Sequence, residues 1–293
     1  MPASRSALPA SSVRPSSKLG RTTVVGSVSA CGLYVDDLPS DAGDGAPLVV
    51  LVHGSMDRHT SFARVRARLM GTCHVVSYDR RGYAGSRGAL PPAGGMDDHV
   101  ADLEAVVAER RCTIAGHSYG GAVVLAFAER RPDLVASALV YEPPTPWREG
   151  WPDHGQQPPA FKDVTSEQAA ENFLRRMIGD HRYERLPLTT REEVVRDGDA
   201  LVAELTAIRL DPPAFDPRRI GVPVLVACGA ESVERHQDAT AWLAGQLPAG
   251  SRHLVARAGH GGHQSHPAEF ARLVLAAVEL GVDSTAARPA ALV

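Results

Sequence analysis

The sequence predicts an α/β protein: a mostly parallel sheet covered by helices on both faces, with a helical cap inserted between two core strands. Three observations predict it. Short apolar, β-rich runs alternate with stretches of helical periodicity, the order that βαβ units require. The run Leu48–Val52 (LVVLV) is apolar at every position, as a central strand must be when helices cover both sheet faces. From Pro143 to about Ile220 no convincing strand occurs, and Pro-rich joints separate polar helical stretches.

Taken in order, residues 1 to about 20 are rich in Ser, Ala, Pro and Arg and contain no acid, so they bury too little apolar surface to order themselves. They are expected to form a disordered tail. An acid-free, Arg- and Ser-bearing start also fits a transit peptide, but Pro2, Pro9 and Pro15 interrupt any amphipathic helix, and the apolar centre of a secretory signal is missing. A cytoplasmic location is the resulting expectation. Two alternating runs, around Thr22 to Ser29 and Leu33 to Asp37, read as a leading antiparallel pair. The core strands are expected at Leu48–Val52, His74–Tyr78, Cys112–Ala115, Ala136–Tyr141, Pro223–Cys228 and His253–Ala256.

Helical packing faces are marked by Val100, Leu103, Val106 and Val107, by Ala239, Trp242, Leu243 and Leu247, and by Phe270, Leu273, Val274 and Ala277. Within the cap, Ser166–Ile178 begins with a capping pattern and Thr190–Arg209 follows as a second helical stretch. The expected division is a core of residues 21–143 and 219–283, a cap of 144–218, and tails at 1–20 and 284–293.

Composition limits the function classes. Lys plus Arg number 31 against 34 Asp plus Glu, a net charge of −3, which is not the footprint of a protein that binds nucleic acid or an anionic membrane. No apolar run approaches the roughly 20 residues of a spanning helix. The four cysteines, Cys31, Cys73, Cys112 and Cys228, are widely spaced and read as separate reduced thiols. A small-molecule substrate is the remaining expectation for a partner, and oligomeric state is not readable.

Three motifs carry chemistry. Gly116–Gly120 (GHSYG) follows an apolar run and precedes a helical one, the strand-turn-helix setting of a nucleophile elbow. The turn is tight enough to demand glycines, and it places Ser118 at a helix N-terminus, where the dipole favours negative charge. His53-Gly54-Ser55-Met56 follows the central strand. An acyl-transfer oxyanion needs two preorganised donors; the amide of Tyr119 supplies one, and that of Ser55, or Met56 beside it, the other. Finally, Ala258-Gly259-His260 follows the last strand, and a weak hydroxyl nucleophile needs a base of the His type. His260, His263 and His266 also share a metal-like spacing, but a glycine-rich loop without a carboxylate cluster is a poor cage, so neither metal nor cofactor is expected.

Together with Tyr78–Ser86 (YDRRGYAGS), this order of motifs resembles the α/β-hydrolase superfamily over roughly residues 22 to 283. The resemblance implies an α/β-hydrolase fold, a mostly parallel eight-stranded sheet with the cap as its variable insertion, and a Ser, acid, His triad in chain order. Asp79, Arg80 and Arg81 match a loop that is mainly structural in the family. One departure concerns the acid. Members commonly carry an Asp three residues beyond the Gly that ends the strand after the cap, and that position here is Ser232, which cannot balance an imidazolium. Glu231 lies next to it. Glu142 instead follows the strand Ala136–Tyr141, a placement that haloalkane dehalogenases share, with Pro143 and Pro144 stiffening the loop. Glu142 is favoured, with Glu231 and then Asp238 as alternatives.

The expectation for function is a cofactor-free serine hydrolase of a carboxylic ester, lactone or thioester. Ser118 is the nucleophile, His260 the base, Glu142 the orienting acid, and the amides of Ser55 and Tyr119 the oxyanion donors. Trp147, Trp151, Phe161, Phe173 and Met177 are expected to line the pocket from the cap. An acyltransferase, cyclase or perhydrolase would use the same triad with another acceptor, and a ligand receptor on a hydrolase scaffold would turn over slowly or once.

Overall fold

The computed structural model describes residues 27–28, 31–149, 151, 161, 163–210 and 213–286. The expected tail at 1–20 and residues 287–293 lie outside the described residues, as does most of the run around Thr22 to Ser29. The strands are β1 (Ser27–Val28), β2 (Tyr34–Leu38), β3 (Leu48–Val52), β4 (His74–Tyr78), β5 (Cys112–His117), β6 (Val135–Tyr141), β7 (Val224–Gly229) and β8 (Gly250–Val255). The helices are α1 (Ala63–Leu69), α2 (Met96–Val107), α3 (Tyr119–Arg130), α4 (Ser166–Ile178), α5 (Asp180–Glu184), α6 (Leu188–Val195), α7 (Gly198–Leu210), α8 (Glu234–Gln246), α9 (Gly262–Ser265) and α10 (Pro267–Ala286).

Among the described residues the strands form one eight-stranded sheet in the order β1-β2-β4-β3-β5-β6-β7-β8. β2 pairs antiparallel with β1 and β4, and every pairing from β4 to β8 is parallel. Alternation along β3 shows why the strand is apolar throughout. Val49 and Leu51 join Phe62, Leu69, Phe270 and Val274 on the face covered by α1 and α10, while Val50 and Val52 join Leu103, Val124 and Phe127 under α2 and α3. A side chain on either face is fully buried, and each such burial stabilises the fold by about 1.5–3 kcal/mol.

Several boundaries differ from the sequence expectation: β8 starts at Gly250 rather than His253, β5 runs on to His117, and two differences involve helices. The stretch Thr190–Arg209 is two helices, α6 and α7, because the chain breaks at Asp197 to turn that side chain inward. Asp197 is buried, accepts from the amide of Ala84 at 3.3 Å and pairs with Arg87. Gly198 then starts α7 so close to α4 that a Cβ would lie 2.2 Å from the carbonyl oxygen of Ser166. At the other end, α10 continues to Ala286, past the expected limit at 283, with Gly281 close over Ala136 and Ser137 of the sheet. By contrast, α4 spans the expected residues, closed by a reciprocal capping box between Thr165 and Gln168. Among the described residues no helix is long and apolar enough to cross a membrane.

The carboxyl ends of the parallel strands carry the turns of interest. At Gly116 and Gly120 backbones approach closely: a Cβ on Gly116 would sit 2.5 Å from the carbonyl oxygen of Gly120, and one on Gly120 would sit 2.3 Å from that of Val52. Backbone cannot yield as a flexible side chain can. Gly120→Ala is therefore expected to cost about 3 kcal/mol or more, read as a lowered urea midpoint at unchanged m-value or as loss of soluble protein.

Candidate active site

Ser118 occupies the turn between β5 and α3 with φ 52° and ψ −125°, a conformation that costs a non-glycine residue about 1–3 kcal/mol. The turn is held by two backbone bonds, from the Ser118 amide to the Tyr141 carbonyl at 2.8 Å and from the Gly121 amide to the Ser118 carbonyl at 2.8 Å. The side chain is thereby presented at the start of a twelve-residue helix. There the partial positive charge of the helix end favours a developing anion.

His260 lies in the loop between β8 and α9, and that loop is clamped from the sheet. Tyr141 donates its hydroxyl to the Gly259 carbonyl at 2.8 Å, and His117 Nε2 donates to the His260 carbonyl at 2.9 Å. Burial, reinforced by the charges of His263 and His260, pushes His117 well below the ordinary histidine range, so it serves as a neutral donor. His260 Nδ1 meets Glu142 Oε2 at 2.7 Å. With that nitrogen protonated toward the carboxylate, Nε2 is the basic nitrogen of the neutral ring.

Glu142 reaches this position because β6 and β7 are parallel neighbours in register, Tyr141 opposite Ala227. Its amide continues the ladder to the Ala227 carbonyl at 3.0 Å, and φ 50° then turns the fully buried side chain toward His260. The second carboxylate oxygen accepts from the Gly229 amide at 2.8 Å, from the Cys228 thiol at 3.2 Å and from the Ser232 hydroxyl. Ser232, at the position where the family resemblance implies an acid, thus supplies a donor to a carboxylate from the adjacent strand. Glu231 is exposed, its amide bonded to the Ala258 carbonyl at 2.9 Å, and Asp238 is exposed on α8. Of the three candidate acids, the fold brings Glu142 alone against His260.

Burial by itself would raise the Glu142 carboxyl, but the hydrogen bond and charge of His260, with His236 and Ser232, outweigh it and hold the group at about 2, against an ordinary 4.5. A carboxyl depressed in the folded state contributes stability above its unfolded value, and the contribution is lost as pH falls toward the folded one. Wild type is expected to melt higher than Glu142→Gln at neutral pH. The gap should narrow between about pH 4.5 and 2, followed by calorimetry of both proteins across that range.

The turn after β3 is tied to the core and to the cap. His53 Nδ1 donates to the Gly54 carbonyl at 2.7 Å and Nε2 accepts from the Arg80 amide at 2.8 Å; burial, with the charge of Arg80, pushes this ring down to about 4. The buried Arg80 guanidinium donates to the carbonyls of His53 at 2.8 Å and Gly54 at 3.1 Å, and to Glu204 Oε2 at 2.7 Å. Glu204 belongs to α7 of the cap and also accepts from Tyr83 at 2.6 Å and from the Ser55 hydroxyl. Its charge is therefore fully engaged, with Arg80 further stacked 4.9 Å from the rings of Tyr83 and Tyr119. Sequence reading passed over Glu204, since nothing along α7 marks it apart from its neighbours. Removing one partner of such a buried pair typically costs 3–5 kcal/mol.

Ser118, His260, Ser55 and Tyr119 all line a single cavity beneath the cap. Pro144, Pro146 and Trp151 form one wall, and α4 and α7 close it with Phe173, Met177, Leu205 and Ile208. Trp151, Phe173 and Met177 thus stand where the sequence placed them. Trp147 does not line it: the ring packs edge-on against Phe215, centroids 5.0 Å apart, in the core under α3. Phe161 is likewise absent from the lining among the described residues.

Residues 49–273 match the alpha/beta hydrolase family profile. The chain belongs to the alpha/beta hydrolase family. Its curated relatives include the pimeloyl-(acyl-carrier protein) methyl ester esterase of Chromobacterium violaceum, 32% identical over 253 residues that span 82% of this chain and 95% of the relative. The same esterase of Nitrosospira multiformis is 26% identical over 260 residues, 81% of this chain and 95% of that one. Among solved structures, the enol-lactonase from Burkholderia xenovorans has the same fold, with a TM-score of 0.64 at 21% identity over 85% of this chain and 97% of that chain.

One residue at the centre of this hydrolase escaped sequence reading. His236, on α8, is buried and stacks on His260 with ring centroids 4.6 Å apart at 20°. Burial and then the charge of His260 push it down to about 3, so it covers the His260 ring without adding a cation. The signal was present: His236, Ala239, Thr240 and Leu243 are the buried positions of α8, a helical stripe that begins one turn before the expected one.

The His-x-x-His-x-x-His spacing of the hydrolase is not gathered on one point. His260 pairs with Glu142, His263 Nε2 with Asp57 at 3.1 Å, and His266 with Ser265 at 2.9 Å. Two other sets, Asp57, His117 and His263, and Glu142, His236 and His260, hold their candidate ligand atoms within 4.8 Å of one another. Each already contains a carboxylate–imidazole hydrogen bond, Asp57 to His263 at 3.1 Å and Glu142 to His260 at 2.7 Å.

Proposed function

We propose that the protein is a carboxylic ester hydrolase that works through an acyl-serine intermediate. The Ser118 hydroxyl attacks the carbonyl carbon while His260 Nε2 takes its proton, and Glu142 balances the imidazolium. The tetrahedral oxyanion is held by the amides of Ser55 and Tyr119 at the start of α3. Collapse breaks the bond to the leaving alcohol, which receives the proton from His260. Water, deprotonated by the same nitrogen, attacks the acyl carbon and releases the acid and free Ser118. Esters, lactones and thioesters all present the carbonyl and leaving group that these steps need.

The observation that carries this reading is the buried carboxylate of Glu142, bound at 2.7 Å to a histidine that shares a cavity with a strained serine at a helix N-terminus. The names of the relatives, esterases among them, support the class. A fluorophosphonate probe tests it. Stoichiometric labelling is expected on Ser118 by peptide mass, with hydrolysis of para-nitrophenyl esters lost in proportion. Label on another residue, or full labelling with turnover intact, removes Ser118 from the chemistry.

A further inference from the structure

In the proposed mechanism the turn after β3 supplies one of the two oxyanion amides, yet a group that fixes this turn comes from the cap. Its residues are fastened in succession to one buried ion pair. Arg80 donates to the carbonyls of His53 and Gly54, and its partner Glu204, a residue of α7, accepts from the Ser55 hydroxyl. The two charges meet at 2.7 Å, and each side chain is 1% exposed. The chain then passes through Met56 at φ 54°, a left-handed conformation that a non-glycine residue keeps only where its surroundings enforce it. A turn that is costly to hold is thus held at three consecutive residues.

A carboxylate is an unfavourable neighbour for a developing oxyanion, so charge does not explain Glu204. Arg80 cancels that charge, and what remains is a strong acceptor in a fixed place: Oε1 accepts from Ser55 and from Tyr83 at 2.6 Å, while Oε2 is held by Arg80 at 2.7 Å. Glu204 itself lies outside the lining of the cavity that holds Ser118 and His260. We infer that Glu204 is a positioning residue for the reaction: by holding the Ser55 hydroxyl it aims the Ser55 amide at the oxyanion, so the oxyanion site is complete only when α7 of the cap is seated on the turn. The inference rests on the ester-hydrolase reading and adds to it a cap residue that acts through the turn.

The test pairs Ser55→Ala with Glu204→Gln. Ser55→Ala removes the hydroxyl but keeps the amide and the Arg80–Glu204 pair, so the buried charges stay matched. With a para-nitrophenyl ester its kcat is expected to fall about tenfold at a KM within about twofold of wild type, less than the roughly 10²–10³-fold that loss of an oxyanion donor itself brings. Inhibition by an alkyl trifluoromethyl ketone, whose adduct with Ser118 carries the same oxyanion, should weaken by the same factor. Glu204→Gln turns one acceptor oxygen into an NH₂ that faces a donor, and its kcat should fall at least as far. In the double variant the losses should not multiply: once Glu204 is replaced, removing the Ser55 hydroxyl should change kcat by less than about twofold.

Wild-type kcat in Ser55→Ala, a loss confined to KM, ketone inhibition that does not follow kcat, or losses that multiply in the double variant each overturn the inference. Ester turnover and fluorophosphonate labelling of Ser118 in the wild-type protein then keep the ester-hydrolase reading. If Glu204→Gln fails to fold, the kcat and ketone readouts of Ser55→Ala decide alone. A wild-type protein that neither hydrolyses esters nor takes the probe at Ser118 overturns both.

Discussion

Replacing Ser118 with alanine is expected to lower kcat/KM for a para-nitrophenyl ester by about 10⁴-fold or more while the melting temperature stays close to that of wild type. The rate effect follows from the covalent step: without the hydroxyl no acyl-enzyme forms, and only oxyanion stabilisation and binding remain. The small stability effect follows from the backbone. Alanine keeps the Cβ, so the cost of φ 52° persists and the flanking bonds to Tyr141 and Gly121 are unaffected. Ser118→Gly separates the two terms. It should be as inactive as the alanine variant and more stable by about 1 kcal/mol, because glycine adopts positive φ without strain. A Ser118→Ala protein that keeps a tenth or more of wild-type kcat/KM would remove the covalent mechanism.

The next largest effect is expected at the acid. Glu142→Gln should lower kcat by about 10²–10⁴-fold, and Glu231→Gln should leave it within about twofold of wild type. The glutamine amide can still accept from Gly229 and Ser232 through its oxygen, so its NH₂ would face His260 Nδ1. That donor forces the ring into the tautomer protonated at Nε2, which cannot take the serine proton, and the neutral amide does not balance the imidazolium. Ser232 offers a rescue. Its hydroxyl already hydrogen-bonds the carboxylate, so Glu142→Gln combined with Ser232→Asp brings an acid to the same place from the loop after β7. Partial recovery of kcat in this double variant, measured under saturating ester, is the expected result. Loss of activity in Glu231→Gln with Glu142→Gln unaffected would move the acid to the exposed loop.

Local elements were legible for local reasons. A parallel strand covered on both faces needs apolar residues throughout, and Leu48–Val52 meets that need residue by residue. The capping box at Thr165 and Gln168 marked the start of α4 because both partners lie within four residues. Where a side chain's partner lies far along the chain, pattern was silent. Asp197 broke a continuous helical stretch to reach Arg87 and Ala84, and Trp147 left the pocket to pack on Phe215. His236 sat on the buried stripe of its helix, yet only the docking of α8 beside the loop after β8 laid it over His260.

From the sequence alone came the strand-helix alternation, the glycine-framed turn at Ser118 and the histidine after the last strand, while the preference for Glu142 among the acids came from the resemblance to a family. The alternation and the turn are properties of a few consecutive residues, in which periodicity and turn sterics leave little freedom. Tertiary structure decided the rest. The register of β6 on β7 set Ser232 beneath Glu142, and the seating of α7 drove Glu204 onto Arg80 and Ser55. The closure of α4 and α7 over one cavity put Phe173, Met177, Leu205 and Ile208 in the same lining as Ser118 and His260. Such contacts join residues a hundred positions apart, and their geometry exists only once separate elements have packed.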